Sequence, residues 1–86
     1  MANPRVMTAA EVFEAEGFIW LEVKDEGLWH LRVFCSSAPG LMMFDVPGDT
    51  YECKLNQYGE KWRCWTEQPT RAEMAWTRWD QSAFWK

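Results

Sequence analysis

The residues best suited to chemistry in this chain are one histidine and three cysteines: His30, Cys35, Cys53 and Cys64. Three thiolates and an imidazole form a ligand set that zinc accepts. Structural zinc sites usually bring their ligands in close pairs, however, and the sequence contains neither CxxC nor HxxxH. His30 and Cys35 are five residues apart in a predicted strand, which places their side chains on opposite faces. We therefore expect buried thiols, with no metal and no other cofactor.

The same residues give little basis for catalysis. A cysteine nucleophile needs a histidine beside it, and the single histidine lies in the middle of a predicted strand. The carboxylates are scattered along solvated faces, and no glycine-rich phosphate loop precedes a predicted helix. We expect a protein that is not an enzyme.

Seven tryptophans in 86 residues are the unusual feature of the composition. Several should build the core of a small domain, and the candidates are Trp29, Trp62, Trp76 and Trp79. The sequence leaves open whether the helix face with Trp76 and Trp79 belongs to the core or to an interface. The other tryptophans either anchor a protein-binding surface, where tryptophan is favoured, or form a stacking platform for single-stranded nucleic acid or another flat ligand. Such a platform needs exposed rings and, for nucleic acid, a positive groove.

Charge and hydropathy narrow the classes of partner. A formal net charge of −4 makes nucleic acid an unexpected partner, whereas an acidic surface suits a basic protein. No apolar run is long enough to cross a membrane. The N-terminus lacks the basic start and apolar centre of a signal peptide, and the odd number of cysteines favours free thiols. We therefore expect a cytoplasmic protein.

Two capping boxes mark the starts of two helices. Thr8 (TAAE) begins a short helix that Gly17 ends in the left-handed conformation, with Val12 and Phe13 buried. Thr70 (TRAE) begins a second helix with one apolar stripe, formed by Ala72, Ala75, Trp76 and Trp79. Loss of an N-cap typically costs about 1 kcal/mol. We expect that cost at Thr70 and a smaller one at Thr8, because its helix is shorter.

Alternating side chains predict five strands with short connections. The first two, residues 18–24 and 28–35, are joined by a three-residue loop with Gly27 in the left-handed conformation. Three more strands follow at residues 41–46, 51–55 and 61–66. Short connections favour antiparallel neighbours. The order α-β-β-β-β-β-α thus predicts a single α+β domain over residues 1–86: an antiparallel sheet of about five strands with two short helices packed on one face.

The first strand presents two unlike faces. Ile19, Leu21 and Val23 form an aliphatic face that should contact the core. Because the helices cannot cover both faces of the sheet, the opposite face should offer exposed aromatic anchors. The predicted binding residues of this surface are Phe18, Trp20, Glu22, Phe34 and Trp65.

The last two strands should form a hairpin. If residues 57–60 are its loop, Cys53 lies directly opposite Cys64 on one apolar patch. Both thiols should then be packed and slow to react in the native state, and Cys35, near a strand end, should react first.

The segment from Tyr58 to Trp76 resembles one found in small proteins of phages and other mobile elements, of the form YGxxWRCWTxxPT. The matching positions are Tyr58, Gly59, Trp62, Arg63, Cys64, Trp65, Thr66, Pro69, Thr70 and Trp76. The resemblance implies a genomic setting and no particular chemistry.

These observations together favour a small phage or mobile-element protein that binds and inhibits a host protein. A CRISPR–Cas defence component is a candidate target, since anti-CRISPR proteins share the small size, the acidity and the lack of catalytic motifs. A homodimer is compatible with the sequence. The alternatives are the stacking module and, third, a small zinc or thiol protein.

Overall fold

The computed structural model describes residues 3–15, 17–35, 40–46 and 48–85. Its elements, in chain order, are α1 (Ala9–Glu14), β1 (Phe18–Val23), β2 (Gly27–Cys35), β3 (Leu41–Val46), β4 (Asp49–Lys54), a 3₁₀ turn (Leu55–Gln57), β5 (Trp62–Trp65), α2 (Arg71–Trp76) and α3 (Gln81–Phe84). The five strands form one curled antiparallel sheet in the order β4-β3-β2-β1-β5. The predicted α+β class and its antiparallel five-stranded sheet are confirmed.

The first hairpin, β1 with β2, follows the sequence pattern closely. Leu21 lies opposite Trp29, and Val23 lies opposite Gly27. Gly27 has a φ of 109°, and Asp25 in the turn also has a positive φ, of 68°. The left-handed conformation expected at the glycine is thus shared by an aspartate, a residue type that tolerates it comparatively well.

One face of the sheet carries the core, and α1 closes it. Its buried side chains include Ile19, Leu21, Leu31, Val33, Met42, Phe44, Cys53, Trp62 and Cys64. Ala9 and Val12 of α1 pack into the same cluster. The prediction that Phe13 is buried is wrong, since its side chain is 55% exposed. Ala9 and Val12 are three residues apart and define the inward side of this short helix, and the residue after Val12 lies off that side.

The helices are divided between the faces of the sheet, which corrects the expectation that both pack on one face. Arg63 of β5 lies opposite Glu22, on the face away from the core. Its guanidinium donates to the carbonyls of Met74 and Thr77 at the end of α2. α2 therefore lies over the second face, while α3 places Phe84 against the core.

The predicted hairpin of the last two strands is wrong. β5 pairs with β1 rather than with β4, so Cys64 lies opposite Leu21 instead of Cys53. The sheet curls until the end of β4 approaches β5, and the Trp62 indole N–H donates to the Lys54 carbonyl at 2.8 Å. A short connection therefore crosses from one edge strand to the other without forming a ladder. The two thiols still face the same core, as expected.

Both capping boxes are confirmed, with the Thr8 and Thr70 hydroxyls accepting from the amides three residues on. Gly17 has the predicted positive φ of 87°, although α1 already ends at Glu14 with Ala15 as its C-cap. Gly59 also has a positive φ. A Cβ there would lie 2.8 Å from the Phe84 ring, so glycine permits α3 to approach.

The N-terminal segment covers the outer edge of β5. The Met7 amide donates to the Cys64 carbonyl at 2.9 Å, and the Thr66 amide donates to the Arg5 carbonyl at 3.0 Å. The buried Tyr58 hydroxyl donates to the Met7 carbonyl. These bonds satisfy an edge that would otherwise offer free backbone groups.

Candidate functional site

The face of the sheet away from the core carries an exposed aromatic cluster. Phe18 and Trp20 lie two residues apart on β1, and His30 of β2 lies directly opposite Trp20. The His30 ring centroid is 4.8 Å from that of Phe18 and 4.7 Å from that of Trp20. Phe18 is 64% exposed, His30 is exposed and Trp20 is half-buried. We call these three residues the aromatic patch.

The rings of the patch are arranged in a way that limits what they can bind. Trp20 and His30 are nearly parallel, with 18° between their planes. The imidazole therefore occupies one face of the indole, and that face is not open to a stacked ligand. The Phe18 ring, tilted by 54° to His30, offers the larger free apolar surface.

Polar groups border the patch. Arg32 lies opposite Phe18 on β2, and Asp45 of β3 lies opposite Arg32. Both side chains are exposed. An apolar centre with charged groups at its rim is the usual anatomy of a protein-binding surface.

Glu22, the next residue on this face of β1, is engaged within the molecule. Its Oε1 accepts from the Arg63 Nε at 2.7 Å and from the Trp65 Nε1 at 2.8 Å. The Glu22 side chain is 13% exposed. Sequence reasoning placed it on an exposed binding surface, whereas here the carboxylate balances a buried cation.

Trp65 is also not where the sequence suggested. It was expected on an exposed, charged face, yet it is 1% exposed and its neighbour Arg63 is fully buried. The two side chains share the face of Trp20 and Glu22, since the register pairs them across β1 and β5. Residues 70–79 contribute to this cover through Arg63, which donates to the Met74 and Thr77 carbonyls and whose guanidinium carbon lies 5.1 Å from the Trp65 ring.

Arg63 holds that cover in place. Its two terminal nitrogens donate to the Thr77 carbonyl at 2.9 Å and to the Met74 carbonyl at 3.1 Å. Carbonyls at the end of a helix have no partner within the helix, and a cation is favoured there. The Trp79 ring lies 4.0 Å from the guanidinium carbon, a cation–π contact. Trp79 was a candidate for the core and is instead half-buried over this cation.

The apolar stripe of α2 faces outward. Ala72, Ala75 and Trp76 are exposed, and Trp76 is 79% exposed. Of the two alternatives left open by the sequence, the exposure of Trp76 excludes the core. The helical period is the same whether a stripe points in or out, and here the contacts of Arg63 at Met74 and Thr77 decide the orientation. No local signal in the helix sequence identifies the outward side.

A shallow apolar groove lies between α1 and the C-terminal end of the chain. Its volume is about 380 Å³, and it is lined by Ala9, Ala10, Phe13, Glu14, Leu55 and Trp85. The Trp85 indole N–H donates to the Tyr58 carbonyl at 3.0 Å, which fixes one wall. Sequence reasoning missed this groove because its walls come from both ends of the chain.

The two described thiols, Cys53 and Cys64, are buried. Burial raises the pKa of Cys53 to about 12 and that of Cys64 well above its ordinary value. A buried thiol of high pKa carries little thiolate. In the described part of the chain, no group of three or more His, Cys, Asp and Glu side chains is placed to hold a metal. The side chains of Phe34 and Cys35 lie outside the described residues, so the predictions made for them remain predictions.

Fold and surface together define a class: a small α+β domain with an aromatic patch on the open part of a curled antiparallel sheet. None of the helices described has the length and apolar character needed to cross a membrane. Comparisons with known protein families, with curated proteins and with solved structures find no match to this chain.

Proposed function

We propose that this chain is a binding protein that acts by contact with another protein, through the aromatic patch. The observation that supports this most directly is Phe18, which is 64% exposed. It lies on β1, which pairs with β2 along its whole length and with β5 from Trp20 onward. An aromatic side chain on such a rigid strand offers a large apolar area. Because the strand is already ordered, little conformational freedom is lost on binding.

We further propose that the partner is a host protein in the cytoplasm and that binding inhibits it, with a CRISPR–Cas component as the specific candidate. The resemblance of residues 58–76 to proteins of phages and mobile elements supports the setting. The small size and the net charge of −4 support an inhibitor that meets a basic surface.

A module that stacks single-stranded nucleic acid is the second candidate, favoured by the aromatic content alone. Two features disfavour it. One face of the Trp20 ring is occupied by His30, and the strands β3 and β4 carry exposed acidic residues, including Asp45 at the border of the patch, Asp49 and Glu52. Nucleic acid normally requires a positive groove.

Affinity capture with a matched pair of variants tests the proposal. The tagged protein, Phe18→Ala and Trp76→Ala are each immobilised and exposed to a lysate of the host bacterium, and retained proteins are identified by mass spectrometry. A captured protein is then purified and titrated calorimetrically. We expect Phe18→Ala to weaken its binding by roughly 30-fold or more, the effect of losing an aromatic hot spot.

Trp76→Ala is the control, because it removes an aromatic side chain that is at least as exposed, 79% against 64%, from the outer side of α2. Equal affinity of the wild type and Phe18→Ala would contradict the proposed surface. Binding of a fluorescent oligo-dT strand, measured at moderate salt, tests the second candidate, the stacking module. Tight binding of that strand, with no protein captured, would replace the proposed function by the stacking module.

A further inference from the structure

We call residues 70–79 the strap. They lie over part of the sheet face that carries the aromatic patch, and none of them is itself buried. The strap contains α2, and no residue of α2 is buried. Its ends are fixed, because Pro69 before it is buried and Phe84 of α3 packs against the core after it. The strap is therefore a segment tied at both ends and held to the sheet in between.

Polar contacts hold the middle of the strap. Arg63 donates to the Met74 and Thr77 carbonyls and lies 4.0 Å from the Trp79 ring. The Lys24 ammonium lies 5.7 Å from the same ring. Water can replace hydrogen bonds to backbone carbonyls at a modest net cost. A segment with no fully buried residue in its helix belongs to the parts of a protein that open at a lower free energy than the core.

An aromatic surface lies beneath the strap. Trp65 is 1% exposed and lies directly opposite Trp20 in the register of β1 and β5. Phe18, Trp20 and Trp65 thus occupy one face of two adjacent strands. The Arg63 guanidinium carbon lies 5.1 Å from the Trp65 ring and 4.0 Å from the Trp79 ring of the strap. Lifting the strap would bring Arg63 and Glu22 into contact with water, and release of the guanidinium would add the indole of Trp65 to the aromatic patch.

We propose that the strap is a regulatory cover: it opens as a unit, without unfolding of the core, and thereby enlarges the surface that the aromatic patch offers to a partner. The proposal rests on the proposed function for the role of the patch, but the opening itself needs no partner. A partner that contacts Trp65 binds only molecules with an open strap, so its apparent affinity is reduced by the open fraction.

Two indole N–H groups on one strand test this inference. Trp65 Nε1 donates to Glu22 and Trp62 Nε1 donates to Lys54, both at 2.8 Å. The first lies under the strap and the second in the core, with nearly equal burial of 1% and 2%. Hydrogen exchange of both is followed by NMR in the wild-type protein, with and without a low concentration of urea.

We expect the Trp65 indole and the α2 amides of Met74 and Trp76 to exchange roughly tenfold or more faster than the Trp62 indole, through one local opening. That opening exposes less surface than global unfolding, so urea should accelerate exchange at Trp65 less steeply than exchange at Trp62. Equal exchange rates at Trp65 and Trp62, with the same urea dependence, would show that the strap opens only with the core and would overturn the proposal.

Arg63→Lys sharpens the test. Lysine keeps the charge beside Glu22 but lacks the planar fork that reaches two carbonyls, so exchange at Trp65 should accelerate further while exchange at Trp62 stays the same. Trp79→Ala provides a second variant if Arg63→Lys does not fold, because Trp79 lies on the strap and outside the core. Unchanged exchange at Trp65 in the variant that folds would contradict the role of these contacts. Since no partner enters these measurements, failure here is distinct from failure of the Phe18→Ala test.

Discussion

The two capped helices, α1 and α2, begin alike and are held differently. Each has six residues and a complete capping box. α1 buries Ala9 and Val12 in the core, whereas α2 buries no residue and is held through the guanidinium of Arg63. The first is therefore fixed by apolar contact with the sheet, and the second by hydrogen bonds to its last carbonyls.

The start of a helix and its position on the sheet therefore depend on different ranges of the sequence. A capping box pairs groups within one turn, so four residues are enough to recognise it. The docking of α2 depends on Arg63, which is 11 residues from Met74 and 14 from Thr77. An apolar stripe on a short helix does not show whether the helix docks by apolar contact, as α1 does, or by hydrogen bonds to its last carbonyls, as α2 does.

The largest difference between the two helices should be seen in the free energy of unfolding when one side chain of each is truncated. Val12→Ala removes two methyl groups from the core and should lower the free energy of unfolding by about 2 kcal/mol. Trp76→Ala removes a far larger side chain from the outer side of α2 and should change the free energy of unfolding by less than about 0.5 kcal/mol. Urea denaturation followed by circular dichroism measures both. A cost at Trp76 as large as that at Val12 would mean that α2 packs like α1.

The sequence predicted the elements of the fold well, because the signals for them are local. The alternation of Ile19, Leu21 and Val23 identified the core face of β1. The glycines predicted to be left-handed, Gly17 and Gly27, both have positive φ. The pairing of β5 was not predicted, because it depends on the curl of the whole sheet and on which edge strand is free.

The candidate site was predicted in part for the same reason. Phe18 lies on the exposed face, as the alternation of β1 indicates. Trp65 and Glu22 lie on that face too, but they are covered, in part by the strap. The sequence of a strand carries no signal for contacts that residues far along the chain make with it. The cluster of Arg63 with Glu22 combines two charges that look solvated when each strand is considered alone.

Loss of the N-cap should also lower the free energy of unfolding more for α1 than for α2, although the difference between the two helices is smaller. Thr8→Ala should lower the free energy of unfolding by about 1 kcal/mol, because α1 must be formed for Ala9 and Val12 to pack. Thr70→Ala should cost less, since a weakened α2 can detach and the loss cannot exceed the free energy of strap opening. This order reverses the expectation from helix length alone. Chemical denaturation of both variants decides it, and a larger loss at Thr70 would place α2 in the same cooperative unit as the core.

The smallest expected effect concerns pH and the carboxylate of the α1 capping box. The Arg5 guanidinium donates to Glu11 at 2.8 Å, and the Thr8 amide donates to it as well. These bonds, that of Arg5 first, lower the pKa of Glu11 from its ordinary 4.5 to about 2. A carboxyl whose pKa is lower in the folded state binds its proton more readily when unfolded. Its stabilising contribution is complete above about pH 4.5 and is lost as the pH falls toward 2.

Glu11→Gln should therefore lower the melting temperature slightly at pH 6 and have less effect at pH 3, where part of the contribution is already lost. The effect is small because both partners are substantially exposed, with 57% of the Arg5 side chain and 37% of the Glu11 side chain accessible, and solvent screens such pairs. Glu73→Gln makes the same change in the capping box of α2, where no ion pair with a described residue accompanies the carboxylate. A difference between the variants that persists in high salt would assign the effect to hydrogen bonding alone, since screening removes the contribution of the Arg5 charge.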